Sequence, residues 1–189
     1  MGTTTDFIGF VEISPPLNAS EQAYLTAFAQ SRRHDRPGGP YEVPDNPAAE
    51  NREPVTGVDH DAYNRPGDGQ PSLWCQWVPA LDGACLSFNG CEKFYGAAAW
   101  MRYLIDHFLA PDALARDSPT PLLAAFSFNH VADGMIAASQ RDSGELYAIH
   151  VEDNVVTTES LWVPRSLRDG LMPYEVALDD ERAERDRWS

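Results

Sequence analysis

The alternation of apolar and polar positions along the chain predicts short strands and helices on either side of one irregular stretch. Residues 7–13 are mostly apolar and predict a strand, which a pair of prolines ends. Asn18 and Glu21 follow at the spacing of a helix N-terminus, where the Asn side chain accepts a first-turn amide and the Glu side chain reaches back. Apolar residues then recur at helical spacing as far as Phe28, so the chain is predicted to begin with a strand and a helix.

Residues 34–72 show no periodicity and hold seven of the fifteen prolines together with five glycines. Ordinary connections have a median length of about 4–6 residues, so a stretch this long is predicted to be a lid or an insertion. Its few large side chains predict partial order, with Tyr41 and Tyr63 as the main anchors. The valines expected to help are Val43, Val55 and Val58.

Strand and helix patterns return in the second half of the chain. Residues 73–78 and 84–88 predict two strands joined by a turn. Asn89 and Glu92 repeat the spacing of a helix cap, and an apolar stripe that reaches Phe108 predicts a second helix. Three further strands are predicted over residues 134–140, 146–151 and 155–158, the last two joined by a turn.

The predicted order is strand, helix, strand, strand, helix, strand, followed by a C-terminal hairpin. This is the order of a ferredoxin-like, or split β-α-β, α+β fold, in which two helices back an antiparallel sheet. With 43% hydrophobic residues the chain can bury a core, so residues 1–178 are predicted to form a single domain that carries 34–72 as an insertion. Residues 179–189 are almost wholly charged and are predicted to be a tail.

The formal net charge of −15 narrows the classes of partner. An acidic surface repels phosphate backbones, so direct nucleic-acid binding is not expected, whereas a basic protein is an acceptable partner. No apolar run reaches the roughly 18 residues of a membrane span, and the N-terminus lacks a signal-peptide pattern. Three cysteines without a C-x-x-C pair indicate free thiols in a reducing compartment. We therefore expect a cytoplasmic protein that does not bind membranes.

The sequence lacks the motifs of several common chemistries. It has no G-x-S-x-G serine, no phosphate-binding loop and no G-x-G-x-x-G segment, which argues against serine hydrolases, NTPases and dinucleotide enzymes. Histidines do occur near acidic residues, as at His130 and Asp133 and at His60, but without the spacing of a zinc or iron site. Neither a metal nor another cofactor is therefore expected.

Four segments together resemble a family of hypothetical proteins from bacteria and their phages. They are residues 12–18, 72–79, 92–95 and 151–156, and the likeness extends over most of the chain. The most specific part is the run from Leu73 to Trp77, which reads Leu-Trp-Cys-Gln-Trp. The resemblance implies neither a reaction nor a cofactor. This chain has Gly90 and Cys91 where the resemblance implies two glycines.

Candidate site residues come from the predicted sheet, whose helix-free face must be covered by another element or left open. Period-two alternation places Glu12, Trp74, Gln76 and Ser87 on that face and leaves His150 on one of the two faces. A carboxylate, an indole, an amide and a hydroxyl under a long loop would form a pocket for a small molecule. The alternative interpretation is a solvated outer face with one packed tryptophan.

Lys93 completes the candidate ligand-binding set. It follows Glu92 at the predicted start of the second helix, where the helix dipole favours an anion, and it is the only lysine of the chain. A lysine can also act as a nucleophile. The alternative interpretation is a capping glutamate beside a surface lysine.

Three functions are consistent with this sequence. The first is a small-ligand-binding domain, which could be regulatory, with its pocket between the sheet face and residues 34–72. The second is an acidic module that binds a basic protein in phage–host conflict. The third is an enzyme that uses Glu12 or His150 as a general base and Lys93 to stabilise charge.

Overall fold

The computed structural model of the chain describes residues 4–47 and 60–163. Its strands are β1 (Thr5–Ser14), β2 (Trp77–Pro79), β3 (Cys85–Phe88), β4 (Val131–Gln140), β5 (Leu146–Glu152) and β6 (Val155–Trp162). Its α-helices are α1 (Ala19–Gln30), α2 (His60–Tyr63) and α3 (Ala97–Leu104). A π-helical turn over Ile105–Leu109 extends α3, and short 3-10 helices follow over Leu114–Asp117 and Pro121–Ala125.

The six strands form one open antiparallel sheet in the order β2-β3-β1-β4-β5-β6. This arrangement confirms the predicted α+β class with an antiparallel sheet. The six-strand order is not that of a four-stranded ferredoxin-like sheet, so the finer classification is not established. The two longest strands, β1 and β4, pair over their full lengths at the centre, and β5 and β6 widen the sheet beyond β4.

Alternate side chains of the central strands point toward the helices and form the core. Val11 and Ile13 of β1 are buried there, as is Ile136 of β4. They belong to one apolar cluster with Phe28 of α1 and Trp100 of α3. Because fully burying a large apolar side chain contributes roughly 1.5–3 kcal/mol, this cluster holds both helices on one face of the sheet. The opposite face is turned away from the described helices.

The start of α1 matches the prediction from its sequence. The Asn18 side chain accepts hydrogen bonds from the backbone N–H groups of Ser20 and Glu21 at 2.9 and 3.1 Å. The Glu21 carboxylate accepts in return from the backbone N–H of Asn18 at 2.7 Å. The predicted capping box is therefore confirmed, and such a cap contributes about 1 kcal/mol.

The predicted start of the second helix is wrong. The Asn89 side chain accepts from the backbone N–H of Cys91 at 2.9 Å and closes a local turn, which competes with helix formation. The helix α3 begins only after Gly96, whose left-handed backbone (φ 70°) provides no side-chain cap. Glu92 and Lys93 therefore lie in the loop before α3, and the expected contribution of a helix dipole at Lys93 does not apply.

The strand predicted over residues 73–78 is shorter than expected. β2 pairs with β3 only from Trp77 onward. The carbonyl of Leu73 instead accepts a hydrogen bond from the backbone N–H of Arg33 at 2.8 Å. Residues 73–76 are thus tied to the chain just after α1, which places them beside the helix and not within the sheet.

Arg33 holds part of the predicted insertion against the domain. Its buried guanidinium donates to the carbonyls of Pro40 and Glu42 at 2.7 and 3.0 Å and to the Ser31 hydroxyl at 2.9 Å. It also stacks on the ring of Phe28, at 4.0 Å from the ring centre. Burial lowers the pKa of Arg33 to about 10. The guanidinium therefore orders the chain through neutral acceptors, which bind a cation without a buried counter-charge.

Tyr41 and Tyr63, the two expected anchors, both contact the domain. The Tyr24 hydroxyl donates to the Tyr41 carbonyl at 2.8 Å, and the Tyr41 hydroxyl lies 2.7 Å from Nδ1 of His107. The guanidinium of Arg32 lies 4.5 Å from the centre of the Tyr63 ring. The other predicted features fall outside the described residues, namely Val55, Val58 and the tail over 179–189.

A buried ion pair joins α1 to the segment that leads into β4. Glu21 and His130 are each 1% exposed, and Oε1 of the glutamate lies 3.2 Å from Nε2 of the histidine. Nδ1 of His130 lies 2.6 Å from the carbonyl oxygen of Pro15. Both ring nitrogens face acceptors, an arrangement that favours the protonated imidazole. Burial by itself lowers the pKa of His130, but the Glu21 and Pro15 acceptors raise it above its ordinary value.

Ser127 gives this cluster the composition of a catalytic triad without its geometry. The serine hydroxyl lies 3.0 Å from Nε2 of His130 and donates to Glu21 at 2.7 Å. In a catalytic triad the serine and the carboxylate occupy different ring nitrogens. Here both face Nε2, and Nδ1 faces the Pro15 carbonyl, so no carboxylate orients the ring toward the serine. The cluster is a structural link between α1 and β4.

Glu21→Gln is expected to lower the free energy of unfolding by about 3 kcal/mol near neutral pH, because a broken buried ion pair leaves one partner uncompensated. Burial opposes ionisation of Glu21, but hydrogen bonds from His130, Ser127 and Asn18 lower its pKa from 4.5 to about 2. Its contribution is therefore present above pH 4.5 and lost as the pH falls toward 2. The His130 pKa is raised, so its contribution is present below pH 6.5 and lost as the pH rises through the folded-state value.

Urea unfolding of the parent and the variant between about pH 3 and about pH 9 measures the free energy of unfolding at the acidic end, where Glu21 titrates, and at the basic end, where His130 loses its proton. Glu12→Gln is the control, since that carboxylate is exposed and its neutralisation should change stability by less than about 0.5 kcal/mol. Identical pH dependence of the parent and Glu21→Gln would contradict the ion pair.

Arg33→Lys is expected to lower the free energy of unfolding by about 2 kcal/mol, because an ammonium group cannot reproduce the planar fork that reaches two carbonyls and a hydroxyl. Arg141→Lys is the matched control, since that guanidinium is 57% exposed and pairs with Asp6 at the surface. Denaturant titrations measure both losses. Equal losses would show that the Arg33 fork has no special role.

Candidate functional site

A cavity of about 810 Å³ opens where the end of α1 meets two loops. Ala29 and Gln30 form the helical wall, and the remaining walls come from residues 64–76 and 89–95. Most of its surface is apolar, with a few polar side chains at defined points. This combination is typical of small-molecule sites, whose volumes are roughly 300–1,000 Å³.

Gln76 provides the most informative polar group of the cavity wall. Its side chain is buried, and Nε2 donates to the carbonyl of Glu92 at 3.2 Å. Its Oε1 atom is also buried and has no hydrogen-bond partner among the described residues. A buried acceptor without a donor costs about 1–3 kcal/mol, and such groups are rare in folded proteins. A donor group that came within hydrogen-bond distance of this atom would remove the penalty.

Trp74 supplies a flat aromatic wall that is held in place from one side. Its ring is half-buried, and the guanidinium of Arg32 lies 5.8 Å from the ring centre. That guanidinium is fixed in turn by the Tyr63 carbonyl at 3.0 Å and by the Asn64 side chain at 2.8 Å. This contact favours one orientation of the indole, and a preorganised ring lowers the entropy cost of stacking on it.

Lys93 and Cys91 are exposed side chains at the wall formed by residues 89–95. The backbone of Lys93 is left-handed, with φ 63°. For a residue other than glycine this conformation costs roughly 1–2 kcal/mol. Backbone strain of this kind is found often at functional sites. Here the strained residue is the only lysine in the sequence.

The structure divides the six predicted site residues into two groups. Trp74, Gln76 and Lys93 meet at the cavity. Glu12, Ser87 and His150 instead lie on the outer face of the sheet, where register pairing connects their strands. The division arises because residues 73–76 are not part of a strand, so period-two alternation does not describe Trp74 and Gln76. Of the 34–72 segment that was predicted to cover the pocket, Asn64, Pro66, Pro71 and Ser72 line this cavity, and the outer sheet face does not line it.

Sequence reasoning missed several members of the cavity wall. Tyr95 and Asn64 line it, and so does Ser72, whose hydroxyl accepts a hydrogen bond from the indole of Trp100 at 2.8 Å. The proline and glycine content of residues 34–72 indicated a loop but not which side chains it would present. Asn64 is placed there by contacts of the folded chain, among them the hydrogen bond that its side chain accepts from Arg32 at 2.8 Å.

The residues named in the enzyme hypothesis lie on two parts of the fold. Glu12 and His150 lie on the sheet face, and Lys93 lies at the cavity. His150 is occupied by Glu159, with 3.1 Å between Nε2 and Oε2.

Comparisons of the chain with protein families, with curated proteins and with solved structures found no match. No helix among the described residues has the length and apolar character needed to span a bilayer. Within the same residues, no three His, Cys, Asp or Glu side chains are arranged to hold a metal ion.

Cys91 is expected to react first when the folded protein meets a maleimide, because it is exposed at the cavity. Cys75 is buried, and burial raises its thiol pKa to about 12, so it should react only after unfolding. Burial also raises the pKa of Cys85, which should slow its reaction. Intact-mass spectrometry over time measures the order, with Cys91→Ser as the control. Rapid labelling of Cys91→Ser at the parent's rate would contradict the assignment.

Proposed function

We propose that this protein is a small-ligand-binding domain whose ligand occupies the cavity beside Trp74, Gln76 and Lys93. The observation that carries the proposal is the buried Oε1 of Gln76, an acceptor without a donor in the wall of an 810 Å³ cavity. Folding alone gains nothing from such an atom. A ligand that donates a hydrogen bond there removes the penalty and gains specificity at the same time.

The other walls define the chemistry of the ligand. The Trp74 and Tyr95 rings favour a planar aromatic group, and the largely apolar surface favours burial of most of the molecule. Lys93 favours an anionic substituent such as a carboxylate or a phosphate. A planar aromatic molecule with one donor group and one anionic group meets all three requirements.

The experiment is a thermal-unfolding screen with aromatic carboxylates, aromatic amines and nucleoside monophosphates. A ligand at about 100 times its dissociation constant stabilises the folded state by about 2.7 kcal/mol, which raises Tm by roughly 5–10 °C in a chain of this size. Trp74→Ala should lose this shift. Trp162→Ala is the matched control, because Trp162 is exposed on β6 and does not line the cavity.

Gln76→Met tests directly whether the unpaired Oε1 of Gln76 binds the ligand. The change removes one hydrogen bond and one unpaired acceptor together, so stability without ligand should stay within about 1 kcal/mol of the parent. The ligand-induced shift should disappear. A shift that survives in both Gln76→Met and Trp74→Ala would place the ligand elsewhere, and a screen without any stabilising compound would count against the function.

We also propose a finer fold class, a cellular location and the absence of direct nucleic-acid binding. The spatial order β2-β3-β1-β4 of the first four strands supports a split β-α-β core that β5 and β6 extend. The free thiols and the acidic charge support work in the cytoplasm, without direct nucleic-acid binding. The resemblance to bacterial and phage proteins stays a prediction.

A further inference from the structure

The outer face of the sheet carries an apolar strip across its two central strands. Phe10 of β1 lies directly opposite Met135 of β4, and the two side chains are 49% and 54% exposed. Ile8, two residues earlier on the same face, is 76% exposed. Exposed apolar side chains on neighbouring positions of a sheet commonly mark a surface that binds another molecule.

An acidic pair lies next to this strip. Glu12 is directly opposite Asp133 in the β1–β4 register. Like charges directly opposite each other destabilise an antiparallel pair. Among the described residues no cation forms a salt bridge with either carboxylate, and Asp133 only accepts from the backbone N–H of Asp153 at 2.8 Å.

At the other end of β1, a carboxylate is neutralised by an arginine of the same chain. Asp6 accepts two hydrogen bonds from the guanidinium of Arg141, at 2.7 and 2.6 Å. This bidentate arrangement is the preferred contact between arginine and a carboxylate. The Glu12–Asp133 pair thus lacks the cation that an equivalent carboxylate on the same strand possesses.

Both features meet in one shallow groove of about 380 Å³. Phe10 and Met135 line one part of it, Glu12 and Asp133 line another, and Gly9 and Gly134 complete the wall. The groove is therefore apolar at one end and anionic at the other. A long aliphatic side chain that ends in a cation has the complementary shape and charge.

We propose that this groove docks an arginine side chain from a basic segment of a protein partner. The methylene stem lies along Met135 and Phe10, and the guanidinium binds between Glu12 and Asp133. Arginine fits better than lysine because its planar fork can donate to two carboxylates and can also stack on the Phe10 ring. The net charge of −15 also attracts a basic partner over a longer range.

A second copy of the chain is the less favourable occupant. It would bring another strongly acidic surface against an acidic pair that already lacks a cation, and like charges across an interface oppose association. The groove is also shallow, so a small molecule bound there would stay largely in contact with solvent, in contrast to one bound in the larger cavity beside Gln76.

The test uses the tripeptide acetyl-Leu-Arg-Leu-amide and the same peptide with neutral citrulline in place of arginine. Binding is followed by NMR of methionine methyl groups, because Met135 lies in the groove and Met101 is fully buried in the core as an internal reference. The arginine peptide should shift the Met135 signal and leave Met101 unchanged. The citrulline peptide should bind about tenfold more weakly, since two exposed ion pairs contribute roughly that factor.

Paired variants identify the groups responsible. Glu12→Gln combined with Asp133→Asn should weaken the arginine peptide about tenfold, and asparagine keeps an acceptor for the Asp153 amide. The control combines Asp68→Asn with Asp112→Asn, which changes the net charge equally at exposed positions outside the groove. Because the acidic pair repels itself, the first double variant should unfold at a temperature no lower than the parent.

Several results would overturn the proposal. Equal binding of the arginine and citrulline peptides would show an apolar surface without cation recognition, and absence of any Met135 shift at millimolar peptide would show no docking. Equal weakening in the two double variants would reduce the effect to net charge. A drop in unfolding temperature confined to the Glu12 and Asp133 variant would make the pair structural. A dimer in sedimentation that Phe10→Ser abolishes, without peptide binding, would assign the face to a second copy.

Discussion

The one-sided packing of the sheet determines which surfaces the described part of the chain leaves open for binding. The core cluster draws α1 and α3 onto a single face through side chains such as Val11, Phe28 and Trp100. A sheet of six strands is wider than two short helices can cover, so binding surfaces arise at the margin of the helical layer and on the opposite face. The cavity beside Gln76 lies at that margin, and the groove beside Phe10 lies on the open face.

Local sequence signals predicted the elements whose stabilising contacts are themselves local. The α1 cap forms because Asn18 and Glu21 bond within one turn, and no distant residue is needed to define it. The same reasoning failed at Asn89, because an asparagine can close a short turn with Cys91 as readily as it can cap a helix. The role of Arg33 depends on the folded chain, in which its guanidinium donates to the Ser31 hydroxyl and to the carbonyls of Pro40 and Glu42.

The sequence predicted several side chains of the candidate site, but it did not predict where in the fold they meet. Trp74 and Gln76 were selected by an alternation that does not apply to them, and they meet because the Leu73 carbonyl bonds to Arg33 and turns the segment toward α1. The Glu12–Asp133 pair depends on the register of strands that are more than a hundred residues apart in sequence. Period-two alternation gives the face of a residue, but register comes from the packed sheet.

The left-handed backbone at Lys93 bears on how this chain can change over evolutionary time. Glycine adopts that conformation without steric penalty and asparagine adopts it more easily than lysine, so either substitution would be neutral or favourable for folding. Random drift would therefore remove the lysine from any lineage in which its amine does nothing. Relatives that keep lysine at this position, despite a backbone that suits glycine, would identify the lineages in which selection acts on the side chain.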